Sequence, residues 1–438
     1  MDQPTLNMIN LYIFNETSRA TIYGIGTYIR ELIAALKDSD INVCVIHLYS
    51  DKKNEKIGES EEAGEPKKTA GIRHIHIPPP INPNTSFNKN KQYELYYKNV
   101  VYLLRIQIKD TERLVFHLNS THSKKLAEEL KKAFDCRIVA VAHYANWGFV
   151  IYDNLRRLRA ILNEEHSDDF SMNLKKSIEA EKTYYSKADH VICLSNYMRE
   201  ILCGDYGLET EKIDVIPNGL TNDAAASKPD VNYLRKKWYV PLNEKIIIFV
   251  GRMDEAKGLT YLIKSFRDVL RVYPRSRLVI AGEGAYDKYT KETQDVCTRI
   301  SYTGFLDKPQ LYEWYRLADV GVIPSLFEPF GYVAVEMMMH GLPILATATS
   351  GLNEVVDKVS GMKIPIIQFF DKVEVDTELL AKKIVYLLGH PEMAKRLGNN
   401  ARKRYKNQYS EKVFHKNMLN FYQSLFSHSL ESKFQSAK

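Results

Sequence analysis

The chain has 438 residues, of which 45% are hydrophobic and 26% charged, a composition typical of a globular protein with room for two domains. No apolar run approaches the roughly 20 residues of a membrane-spanning helix, no signal peptide is evident, and five scattered cysteines predict reduced thiols in a cytosolic protein. The net charge is +7, but the first 220 residues carry 29 basic and 30 acidic side chains. The positive charge therefore lies after residue 220. Because no nucleic-acid motif accompanies it, we expect no nucleic-acid partner.

The first elements predict a βαβ unit with a glycine-rich turn. A strand over residues 7–14 precedes an amphipathic helix that begins at Gly24 and Gly26, and a second strand covers residues 42–48. A dinucleotide fingerprint would need a third glycine where the chain has Ile29, so the pattern argues against a dehydrogenase.

The alternation of strands and helices continues through the first half. Residues 51–71 are predicted to form a charged loop and residues 221–230 a linker. Strands are predicted at residues 114–118, 136–142 and 188–195, and helices at residues 92–109, 178–187 and 196–202. His143 follows directly after a predicted strand, where α/β sheets bind ligands, although a lone histidine is more often structural.

The second half restarts the same alternation and therefore predicts a second doubly wound sheet. Strands are predicted at residues 245–251, 277–284, 300–304, 318–324 and 342–346, and helices at residues 260–271, 308–317 and 331–340. A further strand–turn–helix is predicted at residues 349–356, a solvated basic helix face at residues 395–406 and a closing amphipathic helix at residues 412–426.

Two glutamates lie on either side of a predicted helix N-terminus. Glu328 is in the loop and Glu336 is two turns into the helix that Pro329-Phe-Gly331 opens. The free N–H groups and the positive dipole of such an end suit a phosphate, and the glutamates can accept hydrogen bonds from sugar hydroxyls.

This stretch resembles the Glu-x7-Glu signature of the retaining, nucleotide-sugar-dependent group 1 glycosyltransferases of family 4. Gly251-Arg … Lys257-Gly and Pro217-Asn-Gly also match that family, and the resemblance covers nearly the whole chain. It implies the GT-B fold, in which two Rossmann-like doubly wound domains face each other across a cleft. Residues 1–220 would be the acceptor-side domain, residues 221–410 the donor domain, and residues 411–438 a helix that returns to the first domain.

The resemblance also implies roles for particular residues. Arg252 and Lys257 would hold the diphosphate, since a planar fork and a point charge suit its oxygens. Glu336 would accept the ribose hydroxyls, and Glu328 would lie beside the sugar at the reacting face. The remaining expected contacts are Gly26 and the N–H groups of Phe330, Gly331 and Tyr332 with the phosphates, Gly284 and Thr303 with the base, and His143 with the donor sugar. The residue after His143 is Tyr144, where members of the family often have aspartate.

We expect no cofactor and no required metal ion. No Asp-x-Asp follows a strand in the second half, and Arg252, Lys257 and the helix terminus can stabilise the leaving diphosphate. The family implies retention of configuration, for which we favour same-face attack with the leaving phosphate taking the acceptor's proton. The acceptor would be a saccharide, protein or lipid; the near-zero charge of the first half favours a soluble one, and peripheral membrane contact stays open.

Other interpretations use the same fold or the same nucleotide site. A sugar-nucleotide epimerase fits the Glu-x7-Glu motif less well, and a glycan phosphorylase would need a pyridoxal-binding lysine that we do not find. A catalytically silent nucleotide-binding subunit is the third alternative, against which the four residues Arg252, Lys257, Glu328 and Glu336 argue.

Overall fold

Two parallel β-sheets organise the chain. The structure is a computed structural model that describes residues 8–16, 24–50, 72–80, 89–120, 124–163, 168–223 and 230–427. Within those ranges, the first sheet has the strand order β3-β2-β1-β4-β5-β6-β7 and the second the order β10-β9-β8-β11-β12-β13. Strand order reverses direction between β1 and β4 and between β8 and β11, and such switch points are where open α/β sheets bind ligands.

The first sheet and its helices are formed by residues before 216. The strands are β1 Ile9–Glu16, β2 Ile41–Leu48, β3 Arg73–Ile77, β4 Leu114–Leu118, β5 Cys136–Ala142, β6 His190–Cys193 and β7 Ile213–Val215. The helices are α1 Gly24–Leu36, α2 Lys89–Gln107, α3 Lys124–Ala133, α4 Asn146–Ile151, α5 Leu155–Asn163, α6 Asp169–Ser186 and α7 Asn196–Glu200.

The second sheet and its helices follow from residue 231. The strands are β8 Lys245–Val250, β9 Ser276–Ala281, β10 Ile300–Gly304, β11 Val320–Ile323, β12 Ile344–Thr347 and β13 Gly361–Ile364, with an antiparallel hairpin of β14 Ile366–Gln368 and β15 Val373–Val375. The helices are α8 Val231–Lys237, α9 Leu259–Val272, α10 Tyr286–Glu292, α11 Lys308–Leu317, α12 Tyr332–His340, α13 Leu352–Val355, α14 Thr377–Gly389, α15 Pro391–Arg404 and α16 Glu411–Ser424.

Burial explains why the central strands are almost purely apolar. Ile246, Ile247 and Ile248 of β8 are 0% exposed, because helices cover both faces of a parallel sheet. The predicted α/β fold with two doubly wound sheets is therefore confirmed.

The sequence missed several elements. β3 was not predicted because its sequence, Arg-His-Ile-His-Ile, places only two apolar side chains on one face. β13, the β14–β15 hairpin and α14 were also missed, and residues 349–356 contain the single-turn helix α13 without the predicted strand. The predicted loop at residues 51–71 and most of the predicted linker, residues 224–229, lie outside the described residues.

The closing helix α16 packs on the first domain, as predicted. Phe414 lies with its ring centroid 5.9 Å from that of Tyr28 in α1, and a Cβ on Gly219 would come within 2.3 Å of the Phe414 Cβ. Tyr422 of α16 hydrogen-bonds to Nδ1 of His117 in β4 over 2.9 Å, and Tyr28 bonds to the other ring nitrogen over 3.2 Å. His117 thus joins both ends of the chain inside the core.

The three-part division of the chain proposed from sequence stays a prediction. In the part of the chain that the structure describes, no helix is both long enough and apolar enough to cross a membrane.

We predict that His117 makes stability depend on pH. Burial lowers the pKa of His117 to about 3, whereas a histidine in the unfolded chain titrates near 6.5. The stabilisation by the neutral ring is therefore complete above about pH 6.5 and is lost as the pH falls towards 3. Urea unfolding measures the difference in free energy of unfolding between the wild type and His117→Asn. This difference should fall by about 1.4 kcal/mol when the pH is lowered from 7.5 to 5.5. A difference that stays constant with pH would contradict this assignment.

Candidate active site

The candidate site lies at the switch point of the second sheet. β8 and β11 pair in parallel, with Val320 beside Ile247, so the loops after both strands leave the same edge of the sheet. The loop after β8 carries Arg252 and Lys257, and the loop after β11 carries Glu328. The sequence motifs are thus brought together by sheet topology.

Lys257 and Glu328 form an ion pair in the structure. Their Nζ and Oε2 atoms are 2.5 Å apart, and the side chains are 17% and 16% exposed. The Asp254 side chain accepts a hydrogen bond from the Lys257 backbone N–H over 3.2 Å and so caps the single turn Glu255–Lys257. Gly258 follows with a φ of 67°, and a Cβ there would lie 2.0 Å from the Pro324 carbonyl oxygen. Only glycine permits this approach of the two loops.

Arg252 is more exposed and faces the first domain. Its guanidinium pairs with Asp254 over 3.1 Å and lies 6.0 Å from the ring centroid of Phe149 in α4. Two cations therefore lie within one short loop, each beside a carboxylate. An incoming diphosphate would offer both of them a more highly charged partner.

The N-terminus of α12 provides backbone donors next to these cations. Gly331 precedes the helix with a φ of 98°, no side chain caps it, and Phe330 is buried against Tyr332 and Tyr409. The first N–H groups of such a helix have no intrahelical acceptor. From the first domain, the N-terminus of α1 approaches the same place, since a Cβ on Gly24 would lie 3.9 Å from Tyr332 Cδ2. Gly26 is buried in the first turn of α1.

Glu336 is 3% exposed and already has two partners from α11. Lys308 binds one carboxylate oxygen, and the Tyr315 hydroxyl donates to the other over 2.9 Å. Each carboxylate oxygen has a second lone pair, which leaves acceptor capacity for hydroxyl groups. Sequence reasoning missed both partners, although their seven-residue spacing on a predicted helix places them on one face.

His143 is held as a neutral ring. Burial lowers the pKa of His143 to about 3, and Nε2 lies 2.9 Å from Asn119 Oδ1. The Asn119 amide N–H₂ donates to the Phe14 carbonyl over 3.0 Å, which orients Oδ1 towards His143. Nε2–H is therefore the donor to Asn119, and Nδ1 keeps the acceptor lone pair. Asn119 was not anticipated from the sequence.

The two residues predicted near a base lie farther along the same sheet edge. Gly284 has a φ of 148°, and a Cβ there would lie 2.5 Å from the carbonyl oxygen of Met253, beside Arg252. The Ala285 N–H donates to that carbonyl over 3.0 Å and ties the loop after β9 to the loop after β8. Thr303 is on the edge strand β10, where its hydroxyl donates to the Gly304 carbonyl over 3.0 Å.

Over the described ranges, no group of three or more histidine, cysteine, aspartate or glutamate side chains is placed to hold a metal ion. The cationic groups at the site are instead Arg252, Lys257 and Lys308, aided by the helix N-terminus.

Two family models match successive parts of the chain. Residues 22–223 match the family described as Glycosyltransferase Family 4, and residues 230–404 match the family described as Glycosyl transferases group 1. A glycosyltransferase from Methanocaldococcus jannaschii is 34% identical over 175 residues, which are 38% of this chain and 44% of that protein. The alignments span about half of the length of the curated relatives that this chain matches.

Solved structures share the fold over their whole length. Sucrose-phosphate synthase from Thermosynechococcus elongatus superposes with a TM-score of 0.73 at 21% identity, covering 96% of this chain and 100% of that one. Anabaena HepE, solved with UDP and glucose, superposes with a TM-score of 0.67 at 16% identity, covering 96% and 100%. With both halves matched in order, the chain belongs to the group 1 glycosyltransferases of family 4 and has their GT-B fold.

Proposed function

We propose that this protein is a cytoplasmic, retaining glycosyltransferase that needs no metal ion. It would move a sugar from a nucleoside-diphosphate sugar to a hydroxyl group of a saccharide, protein or lipid. The observation that carries the proposal is the convergence of Arg252, Lys257 and the uncapped N-terminus of α12 beside Glu328. These groups form an anion site next to a carboxylate that can face a sugar.

The arrangement suits departure of a diphosphate. When the bond between the sugar C1 and the diphosphate oxygen breaks, the electron pair goes to the phosphate, where Arg252, Lys257 and the α12 N–H groups stabilise it. Lys257 would exchange Glu328 for phosphate oxygens, which frees the carboxylate to accept hydrogen bonds from the sugar hydroxyls.

Retention would follow from attack on the same face. The acceptor oxygen bonds to C1 on the side that the diphosphate leaves, and its proton passes to a departing phosphate oxygen. His143 would contact the sugar through its Nδ1 lone pair, because Nε2–H is bound to Asn119. Its ring is neutral and therefore poorly suited to act as an acid.

The donor nucleotide can be tested without knowing the acceptor. HepE was solved with UDP and glucose, which makes UDP the first candidate beside GDP, ADP and TDP. A thermal-shift assay should show that one nucleoside diphosphate raises the Tm. At a hundredfold excess over Kd, the bound nucleotide adds about 2.7 kcal/mol to the free energy of unfolding. The shift should be the same with EDTA. A shift that EDTA abolishes would contradict metal independence, and no shift with any nucleotide would contradict the proposed donor site.

We predict that the Glu336 carboxylate accepts hydrogen bonds from the ribose hydroxyls. Glu336→Ala should weaken UDP binding by about tenfold to a hundredfold, because hydrogen bonds to a charged acceptor contribute about 1.5–3 kcal/mol. Calorimetry with UDP and 2′-deoxy-UDP separates this role from a structural one. The wild type should prefer UDP, and Glu336→Ala should bind the two alike.

The control for that experiment is Tyr315→Phe, which removes a partner of Glu336 and leaves its carboxylate in place. It should keep the preference for UDP. If Glu336→Ala still distinguishes the two nucleotides, the ribose assignment is wrong.

We predict that Arg252 and Lys257 act mainly on the leaving group. Arg252→Ala and Lys257→Ala should each lower kcat by about a hundredfold to a thousandfold, as removal of a transition-state donor does, while KM for the donor changes little. Release of UDP from a UDP-sugar in water provides the assay where no acceptor is known. Lys264→Ala removes an exposed cation of α9 and should behave as wild type. Equal losses in Lys264→Ala and Lys257→Ala would point to a general effect of charge.

A further inference from the structure

One short segment of the first domain contacts the donor-side loops of the second. Helix α4 is followed by Tyr152 and Asp153, which both adopt the left-handed conformation, with φ angles of 51° and 62°. Such angles are uncommon for residues other than glycine and persist where surrounding contacts fix them. The turn directs both side chains across the domain boundary, Tyr152 to Glu255 and Asp153 to Thr349 and Ser350.

The helix itself packs against the residue that precedes Glu328. The Phe149 ring lies edge-on to Phe327, with centroids 4.8 Å apart, and its face is 6.0 Å from the Arg252 guanidinium. A Cβ on Gly148 would lie 2.3 Å from the Phe327 ring. Glycine at this position therefore permits a close approach of α4 to the loop after β11.

Tyr152 reaches the loop after β8. Its hydroxyl donates to Glu255 Oε2 over 3.1 Å, and Glu255 begins the single turn that ends at Lys257. The two loops that hold Arg252, Lys257 and Glu328 thus both touch this segment.

Asp153 is buried, at 6% exposure. Its Oδ2 accepts hydrogen bonds from the Ser350 N–H over 3.0 Å and from the Thr349 hydroxyl over 3.2 Å, and its Oδ1 accepts one from the Tyr197 hydroxyl. Burial raises the pKa of Asp153 to about 6. A carboxylate this buried is stable only while its donors remain in place, so it fixes them in turn.

Ser350 connects Asp153 to the backbone of Glu328 through hydrogen bonds. It has a φ of 36°, and its hydroxyl accepts from the Glu328 N–H and donates to the Glu328 carbonyl, both over 3.0 Å. Only one residue therefore separates Asp153 of the first domain from the backbone of Glu328.

We propose that Asp153 is a positioning residue that fixes Glu328 through Ser350 when the two domains are together. This role rests on the proposed function for its catalytic meaning, but the coupling of Asp153 to the Glu328 backbone can be measured independently.

Hydrogen–deuterium exchange on the full chain tests the coupling without any substrate. In Asp153→Ala, the Ser350 amide loses its acceptor, so peptides covering residues 326–332 and 349–352 should exchange about tenfold faster than in the wild type. Arg157→Ala is the matched control, because it removes a different contact between the domains, the bond from Arg157 to the Asp371 carbonyl. It should leave both peptides unchanged. Wild-type exchange in Asp153→Ala would overturn the proposal.

A conservative variant guards against general misfolding. In Asp153→Asn, the amide oxygen can accept from Ser350 and Thr349 while the N–H₂ group donates to Tyr197, so exchange should return nearly to that of the wild type. Ser350→Ala leaves Asp153 intact and removes only the link to Glu328. It should speed exchange at residues 326–332, and an unchanged rate there would contradict the relay.

Turnover provides the second measurement. With a UDP-sugar, Asp153→Ala and Ser350→Ala should lower kcat roughly tenfold to a hundredfold, as misplacement of a reacting group does. Their Kd for UDP should stay within about twofold, since the expected UDP contacts, apart from Gly26, belong to the second domain. If the wild type neither binds nor cleaves any nucleotide sugar, the proposed function fails while the exchange result still decides the coupling. If the wild type is active and both variants match it, the positioning role alone is overturned.

Discussion

The left-handed backbone at Gly331 is the constraint on which the candidate site depends. It turns the chain from the buried Phe330 directly into α12, so that the helix begins uncapped at the switch point of the sheet. A Cβ at this position would meet Leu352 Cδ1 at 3.1 Å and Glu328 Cγ at 3.4 Å. Glycine therefore lets one turn place Glu328 before the helix and Glu336 inside it.

Charge pairing explains how such a site remains stable inside a folded protein. Lys257 pairs with Glu328, Arg252 with Asp254, and Lys308 with Glu336. An unpaired charge would be costly at the buried Glu336 and at the largely buried Lys257 and Glu328. Under the proposed function, a diphosphate replaces carboxylates as the partner of the first two cations. Both cations then stay paired, and the Glu328 carboxylate exchanges its ion pair for hydrogen bonds from the sugar hydroxyls.

The sequence predicted the sheets and the start of α12 because both are local patterns. Apolar runs of strand length identify β8 and β11, and the spacing from Glu328 to Glu336 identifies the helix start between them. Strand β3 was not predicted because His74 and His76 interrupt its apolar pattern. Lys308 and Tyr315 could have been placed on one face of α11, but nothing local shows that this face meets Glu336.

Contacts between the domains could not be predicted from periodicity at all. Asp153 follows a short helix and by itself resembles a solvated turn residue, yet it is buried against Thr349 and Ser350, about 200 positions later. Periodicity reports which face of an element is buried and carries no information about which distant loop covers it. The burial of Asp153 therefore emerges only when the two domains are placed together.

The two domains contribute different residues to the proposed reaction. Arg252, Lys257, Glu336 and the start of α12 all belong to the second domain, so one domain holds all but Gly26 of the residues expected to bind a nucleoside diphosphate. His143 and the α4 segment belong to the first domain, and the α4 segment contacts the loops that carry Lys257 and Glu328. Nucleotide affinity should therefore depend mainly on one domain, whereas the geometry of the reacting sugar depends on both. A mutation at the domain boundary would then alter turnover before it alters nucleotide binding, which is the behaviour expected of an interaction made chiefly in the transition state.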